Sequence, residues 1–291
     1  FSIERKKKKL MNELNFLPPV PSNFVRILSV ISDKNSSAAD LEKYIESDKA
    51  LFQKMIKISN SSFYRAGSSS SEVETSRQSI MTLGFNMIEA LTLVTGTNKL
   101  FPKRMLSYGY VNEGLWHHSL ACSVIAKSIA VDMHLSKYRV DDLFLCGLFH
   151  DIGKTILGKY LAFKDKIFLF PELGENNKSQ MEKNFTGYSH AEIGEMLIKN
   201  WKLPAIVEYT TKNHHQPFLS LTYAKEICII NLADYVANYL KIGFHYRNTY
   251  KPVLLDTVKR TLEIDENYVE TLIKRSITLY KDISSMFTKI R

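Results

Sequence analysis

Gly147-Leu148-Phe149-His150-Asp151-Ile152-Gly153-Lys154 sets an imidazole and a carboxylate side by side inside an otherwise apolar helical run. Burying His150 and Asp151 beside Leu148, Phe149 and Ile152 costs about 2–7 kcal/mol for each polar group left unpaired. The pair therefore needs a partner. A cation satisfies both groups, and neutral imidazole nitrogen with carboxylate oxygen suits Fe, Mn or Zn better than Mg or Ca. A dipeptide alone is weak evidence, so the reading turns on ligands elsewhere in the chain. His118, His190, the adjacent His214 and His215, and Asp234 are the candidates.

Bulk composition sets the class. A chain of 291 residues with 45% hydrophobic content is long enough to bury one large core or two modest ones. The formal charge of +9 invites a nucleic-acid or anionic-membrane reading, but Arg5 to Lys9 supplies five of those charges. Nucleic-acid binding would rest on that run alone, and a solvated helix end explains it more simply. Cys122, Cys146 and Cys228 stand singly with no CxxC spacing, as reduced core residues of a cytoplasmic protein do. The most apolar stretch, Ile80 to Val94, is interrupted by Asn86 and Glu89, which argues against a membrane span. The basic start has no apolar signal core behind it, so secretion has no support.

Residues 1–16 read as a basic N-terminal helix or tail. Leu17-Pro18-Pro19-Val20-Pro21 must be extended, because proline restricts both itself and its predecessor. Beyond it apolar residues recur at helical spacing and strand alternation is absent. Ser22, Ser37 and Asp48 can cap three helices, a polar break follows at Asn60-Ser61-Ser62, and helices over about 75–83 and 85–97 complete an N-terminal lobe spanning 17–100. The second lobe, 101–291, carries the histidines. A helix over 113–130 holds His118, one over 140–150 leads into His150-Asp151, and 168–182 reads as a polar loop. A helix from Ser189 to Trp201 opens at His190, the next runs from Leu203-Pro204 to His214-His215, and Leu221 to Leu240 holds Asp234. Two amphipathic helices with Asp265 as a cap between them follow. The expected fold class is all-α, a two-lobed helical bundle.

The order His118, His150-Asp151, Asp234 on successive helices resembles the HD metal-dependent phosphohydrolase superfamily. With His190, His214 and His215 added, the set is similar to the ligand shell of the HD-GYP cyclic-dinucleotide phosphodiesterases, in which the lysine of H-D-x-G-K, Lys154 here, contacts phosphate. Across residues 17–220 the chain more closely resembles the HDOD domain, a signalling output module. The hallmarks are Leu17-Pro18-Pro19-Val20-Pro21, Asn60-Ser61-Ser62-Phe63-Tyr64, Ser79-Ile80-Met81-Thr82-Leu83-Gly84, Trp116-His117-His118-Ser119, Phe149-His150-Asp151-Ile152-Gly153-Lys154 and Ser189-His190-Ala191-Glu192-Ile193-Gly194. The N-terminal lobe separates the two families, since HD-GYP domains lack it, and the C-terminal half is then HD-domain-like. Two departures bear on chemistry. Gln216-Pro217-Phe218 stands where an HD-GYP enzyme carries its G-Y-P loop, and Gly114 stands one turn before His118, where some carry a further metal-binding Glu.

The resemblance implies a cytoplasmic bacterial signal-transduction regulator that binds a protein partner or a nucleotide effector without catalysis. The alternative it carries is a metal-dependent phosphohydrolase acting on a nucleotide or cyclic dinucleotide. In that case Asp151 would bridge two divalent ions, with His118, His150 and Asp234 on one and His190, His214 and His215 on the other, activating water against a phosphodiester. One ion, or none, is the plainer alternative: the groups would then hydrogen-bond one another, which is tolerable only if every member is satisfied.

Overall fold

The computed structural model describes residues 5, 7–8, 10–12, 30, 37–60, 72–83, 100–161, 175–244 and 251–288. Leu17–Pro21, the helix expected after Ser22, most of Asn60–Tyr64 and the helix expected over 85–97 lie outside them. Apart from isolated bridges and two 3-10 turns, the regular elements among the described residues are all α-helices. None of those helices is long and apolar enough to cross a membrane. The chain forms two compact units, one of residues 18–99 with 285–291 and one of residues 1–17 with 100–284.

The smaller unit contains α1 (Ala38–Ser47), α2 (Lys49–Ser59) and α3 (Ser76–Leu83). The caps follow the sequence: the Asp40 carboxylate accepts from both the amide and the hydroxyl of Ser37, and Asp48 Oδ1 accepts from Leu51 N at 3.1 Å. Leu41, Ile45, Leu51, Met55 and Ile58 are buried, while Ile56 is only half-buried. The Asn60 side chain donates to Val73 O at 2.7 Å and accepts from Val73 N at 2.9 Å, closing the chain between α2 and α3. Ser76 donates to Glu46 at 2.7 Å, which ties α3 to α1.

The larger unit contains α4 (Gly114–Asp132), α5 (Lys137–Phe149), α6 (Lys154–Leu161), α7 (Glu175–Thr186), α8 (His190–Asn200), α9 (Ala205–Asn213), α10 (Ala224–Tyr239), α11 (Asp256–Leu262) and, as far as residue 284, α12 (Glu266–Thr288). α4 is buried along almost its whole length and packs against α5 and α10, so its apolar residues need no single face. Gly147 sets the distance between α4 and α5. A Cβ there would lie 2.7 Å from the backbone nitrogen of Ser123 and 2.8 Å from the carbonyl carbon of Cys122. Gly153 does the same between the turn after α5 and the start of α8, where a Cβ would run into the His190 carbonyl. Gly114 is pressed on the backbone of Gly243 in the same way, so no glutamate fits there to reach His118.

One expectation is corrected. Within 168–182, read as a polar loop, residues from Glu175 onward are helical, as the first part of α7. The segment lacks an apolar stripe, and its helix is held by polar anchors instead: Lys178, Glu182 and Thr186 are all buried, at i, i+4 and i+8.

At the far end of α4, Asp132 accepts from Arg275 Nη1 at 3.0 Å, from Arg275 Nη2 and from Tyr268 OH at 2.7 Å, pinning α12 to α4. Burial raises the Asp132 pKa, but Arg275 and Tyr268 outweigh it and the net direction is downward from 3.8. The folded-state pKa lies below the unfolded one, so the contribution is present above the unfolded value and lost as pH falls through the folded one. In urea unfolding, wild type loses more stability than Asp132→Asn between pH 5 and pH 3. Equal losses would show that the pair contributes nothing. Gly147→Ala lowers stability by about 1–3 kcal/mol through overpacking, seen as a lower urea midpoint at unchanged m-value.

Candidate metal centre

All seven histidine and aspartate candidates, with Lys154, come together where α4, α5, α8, α9 and α10 meet. His118 points from α4, and His150 and Asp151 cap the end of α5. Lys154 begins α6, His190 begins α8, His214 and His215 follow α9, and Asp234 lies two-thirds along α10. His118, His150, Asp151, His190 and His214 are fully buried, Asp234 and Lys154 nearly so, and His215 half-buried. Asp151 is the centre. Its Oδ2 lies 2.6 Å from Lys154 Nζ, 3.4 Å from His150 Nε2 and 3.6 Å from His118 Nε2. Its Oδ1 lies 3.4 Å from His190 Nε2 and 3.7 Å from His214 Nε2. Asp234 Oδ1 faces His118 Nε2 at 3.0 Å and His150 Nε2 at 3.6 Å, and accepts from the Asn238 amide at 2.7 Å.

The rings are oriented from behind. His150 Nδ1 donates to Gly147 O at 2.8 Å and His214 Nδ1 to Thr211 O at 2.8 Å, while His190 Nδ1 donates to Glu182 at 2.8 Å. Carbonyl and carboxylate oxygens only accept, so Nδ1 carries the proton in each ring and a neutral ring turns the Nε2 lone pair inward. His190 Nε2 also meets His215 Nε2 at 2.9 Å. Lone pairs of His190 and His214 thus face Asp151 Oδ1, another acceptor. Asp151 Oδ1 and His214 Nε2 are buried with no hydrogen-bond partner. Acceptors turned on one another in a dry core are unfavourable unless a cation lies between them. The residues present therefore fit a divalent metal.

The buried charges bias one another's protonation. Burial raises the Asp151 pKa, but Lys154 and then His150 outweigh it and hold the carboxyl well below its usual range. Burial is likewise overcome at Asp234, by His118 and His150. Burial opposes a charge on His150, yet its negative neighbours raise its pKa well above the ordinary imidazole value. Cys122 beside it is pushed up to about 11 by burial and is a neutral thiol, so the carboxylates carry that effect. Burial lowers the pKa of His214, keeping it neutral and able to donate a lone pair.

Two four-residue groups could hold an ion, with donor atoms within 4.8 Å of one another: His118, Cys122, His150 and Asp234, and Asp151, His190, His214 and His215. Sequence reasoning missed two residues here. Cys122 reads as a plain core cysteine unless its spacing of four from His118 is set beside a histidine on another helix. Glu182 carries no local signal, since it lies in the segment read as loop. It is fully buried, accepts from His190 N at 2.8 Å and from Tyr108 OH at 2.6 Å, and holds the His190 ring.

A family model described as HDOD domain matches residues 17–217. Among solved structures, an HDOD domain protein from Geobacter sulfurreducens is 23% identical and aligns over 99% of this chain and 97% of its own, with a TM-score of 0.67. A candidate signal transduction protein from Marinobacter aquaeolei VT8 is 19% identical, with a TM-score of 0.76 over 97% of this chain and 61% of its own. A candidate phosphohydrolase from Shewanella amazonensis SB2B is 17% identical, with a TM-score of 0.65 over 97% and 98%. An uncharacterized protein of Treponema pallidum (strain Nichols) is 22% identical over 235 residues, 79% of this chain, which spans 44% of that relative's length. At these identities the structural likenesses establish the helical fold.

Glu182→Gln weakens metal binding by about 10–100-fold, the range typical of removing a carboxylate behind a ligating histidine. Competition with a chromogenic chelator measures it. An unchanged affinity would show that Glu182 does not orient His190 as a ligand.

Proposed function

The chain belongs to the HDOD domain family, and from that premise we propose that it is a cytoplasmic regulator in bacterial signal transduction, working by binding a protein partner or a nucleotide effector. Its histidine-aspartate centre holds a divalent ion, Fe, Mn or Zn, as a structural core and does not turn over a phosphate ester. One observation carries this reading: the side chains that would have to present an ion to a substrate are fully enclosed, with His118, His150, Asp151, His190 and His214 at 0% exposure. A phosphodiester and its attacking water need open coordination positions facing a cleft. Lys154 adds to this, since its ammonium is spent on Asp151 and buried beside the rings of Tyr108 and Tyr110. Gln216-Pro217-Phe218 also supplies no G-Y-P loop.

A second reading, phosphohydrolase, is favoured by the two oxygens of Asp151, each facing its own pair of imidazoles. A bound metal would there supply a Lewis acid and an ionised water at neutral pH. In this chain Asp151 would orient both imidazole pairs and Lys154 would hold its charge.

The test is elemental analysis of the purified protein, followed by assays with bis(p-nitrophenyl) phosphate and a cyclic dinucleotide in added Mn or Fe. Retained metal without cleavage above the blank is expected. Cleavage abolished by Asp151→Asn would replace the regulatory reading with the enzymatic one.

A further inference from the structure

Arg5-Lys6-Lys7-Lys8-Lys9 is a motif that the metal centre leaves unused. Residues 5, 7–8 and 10–12 are helical and belong to the same compact unit as α7 and α8. Leu10 is 1% exposed, so the segment is docked on the protein body through its apolar side, while Arg5 and Lys8 remain exposed. The Lys7 stem crosses Gly187, in the turn between α7 and α8. Gly187 has φ +88°, and a Cβ there would overlap Lys7 Cγ and Cε, so a glycine is what lets the stem lie against the backbone. Lys7 Nζ lies 5.7 Å from the centroid of the Tyr188 ring, which holds the ammonium in place. Arg5, Lys7, Lys8, Met11 and Tyr188 line a hollow of about 630 Å³ here, and none of them is acidic.

Resting on the regulatory reading and deepening its effector half, we propose that this hollow binds a nucleoside di- or triphosphate, with the phosphates on Arg5, Lys7 and Lys8 and the base against Met11 and Tyr188. Three cations side by side repel one another, and an oligophosphate chain carries enough negative charge to answer all of them. The rest of the lining is a thioether and an aromatic ring, which a bare inorganic anion leaves uncovered and a flat base covers. Size agrees, since sites for single small molecules run about 300–1,000 Å³. A membrane surface fits less well, because an interfacial helix needs its apolar face for lipid and Leu10 already packs in the protein body. The location suits an effector. Tyr188 stands two residues before His190, and Thr186 Oγ1 lies 2.8 Å from both Glu182 O and Tyr188 O. The floor of the hollow is thus tied to the residue that holds the His190 ring.

Isothermal titration calorimetry of the full chain with ATP, GTP and inorganic tripolyphosphate tests this. ATP or GTP is expected to bind as one nucleotide per chain, at least about tenfold more weakly in the double variant Lys7→Gln, Lys8→Gln, which loses charge-assisted hydrogen bonds. In Tyr188→Ala the nucleotide is expected to bind about tenfold more weakly, as on loss of a base-stacking ring, with tripolyphosphate unchanged. Should Tyr188→Ala fail to fold, Met11→Ala, at an exposed side chain, takes its place. Nucleotide binding that these variants leave unchanged overturns the hollow as the site. Tripolyphosphate bound as tightly as ATP overturns the base contact and with it the nucleotide assignment. Absence of ATP and GTP binding overturns the proposal, and retention on phosphatidylserine vesicles or duplex DNA, lost in the double variant, would then assign the basic run to those surfaces. Each of these results leaves the regulatory reading standing on its protein partner, since that reading falls to phosphodiester cleavage instead.

Discussion

A carboxylate in a dry core must meet positive charge, and this chain buries two of them, Asp151 and Asp234, among imidazoles. Their pKa values are held well below the usual range, so both are anions. Lys154 answers one of them at 2.6 Å. The other faces His118 Nε2 at 3.0 Å and His150 Nε2 at 3.6 Å. The backs of His150, His190 and His214 are tied to Gly147 O, Glu182 and Thr211 O, which turns their Nε2 atoms toward the same small volume. A core built only to store protons has no need for that orientation. A core built to hold an ion requires it.

Close helix approach makes the convergence possible. Gly147 and Gly153 remove the side chains that would hold α5 off α4 and the α5–α6 turn off α8. Both glycines stand in the same eight-residue stretch as the histidine-aspartate pair, so one segment supplies the ligands and the packing that delivers them. Asp132 with Arg275 and Tyr268 fixes α12 to the other end of α4, away from the ligands.

Much of this was legible in the sequence because it rests on local signals. Helical period, the Ser37, Asp48 and Asp265 caps, and polar residues isolated in apolar runs all report on their own neighbourhoods. They anticipated the described helices other than α6 and α7, and they singled out His118, His150, Asp151, His190, His214, His215 and Asp234 as candidates. Two features were not legible because their signal is purely tertiary. α7 begins in a segment with no apolar stripe, and its Glu182 acquires meaning only where it meets His190 and Tyr108. Cys122 has the composition of an ordinary core position, and only the proximity of His150, 28 residues away in sequence, sets it apart. Glu182 and Cys122 are thus what the structure adds to the candidate site.

The central claim is that a metal cation lies among these converging acceptors. Crystals grown without chelator, measured on either side of the Fe, Mn and Zn absorption edges, test it most directly. The account predicts an anomalous peak between α5 and α10, within bonding distance of His150 Nε2 and Asp234 Oδ1. Absence of any such peak, after soaking in each of the three metals, with hydrogen atoms placed between the same nitrogens and oxygens, would contradict it.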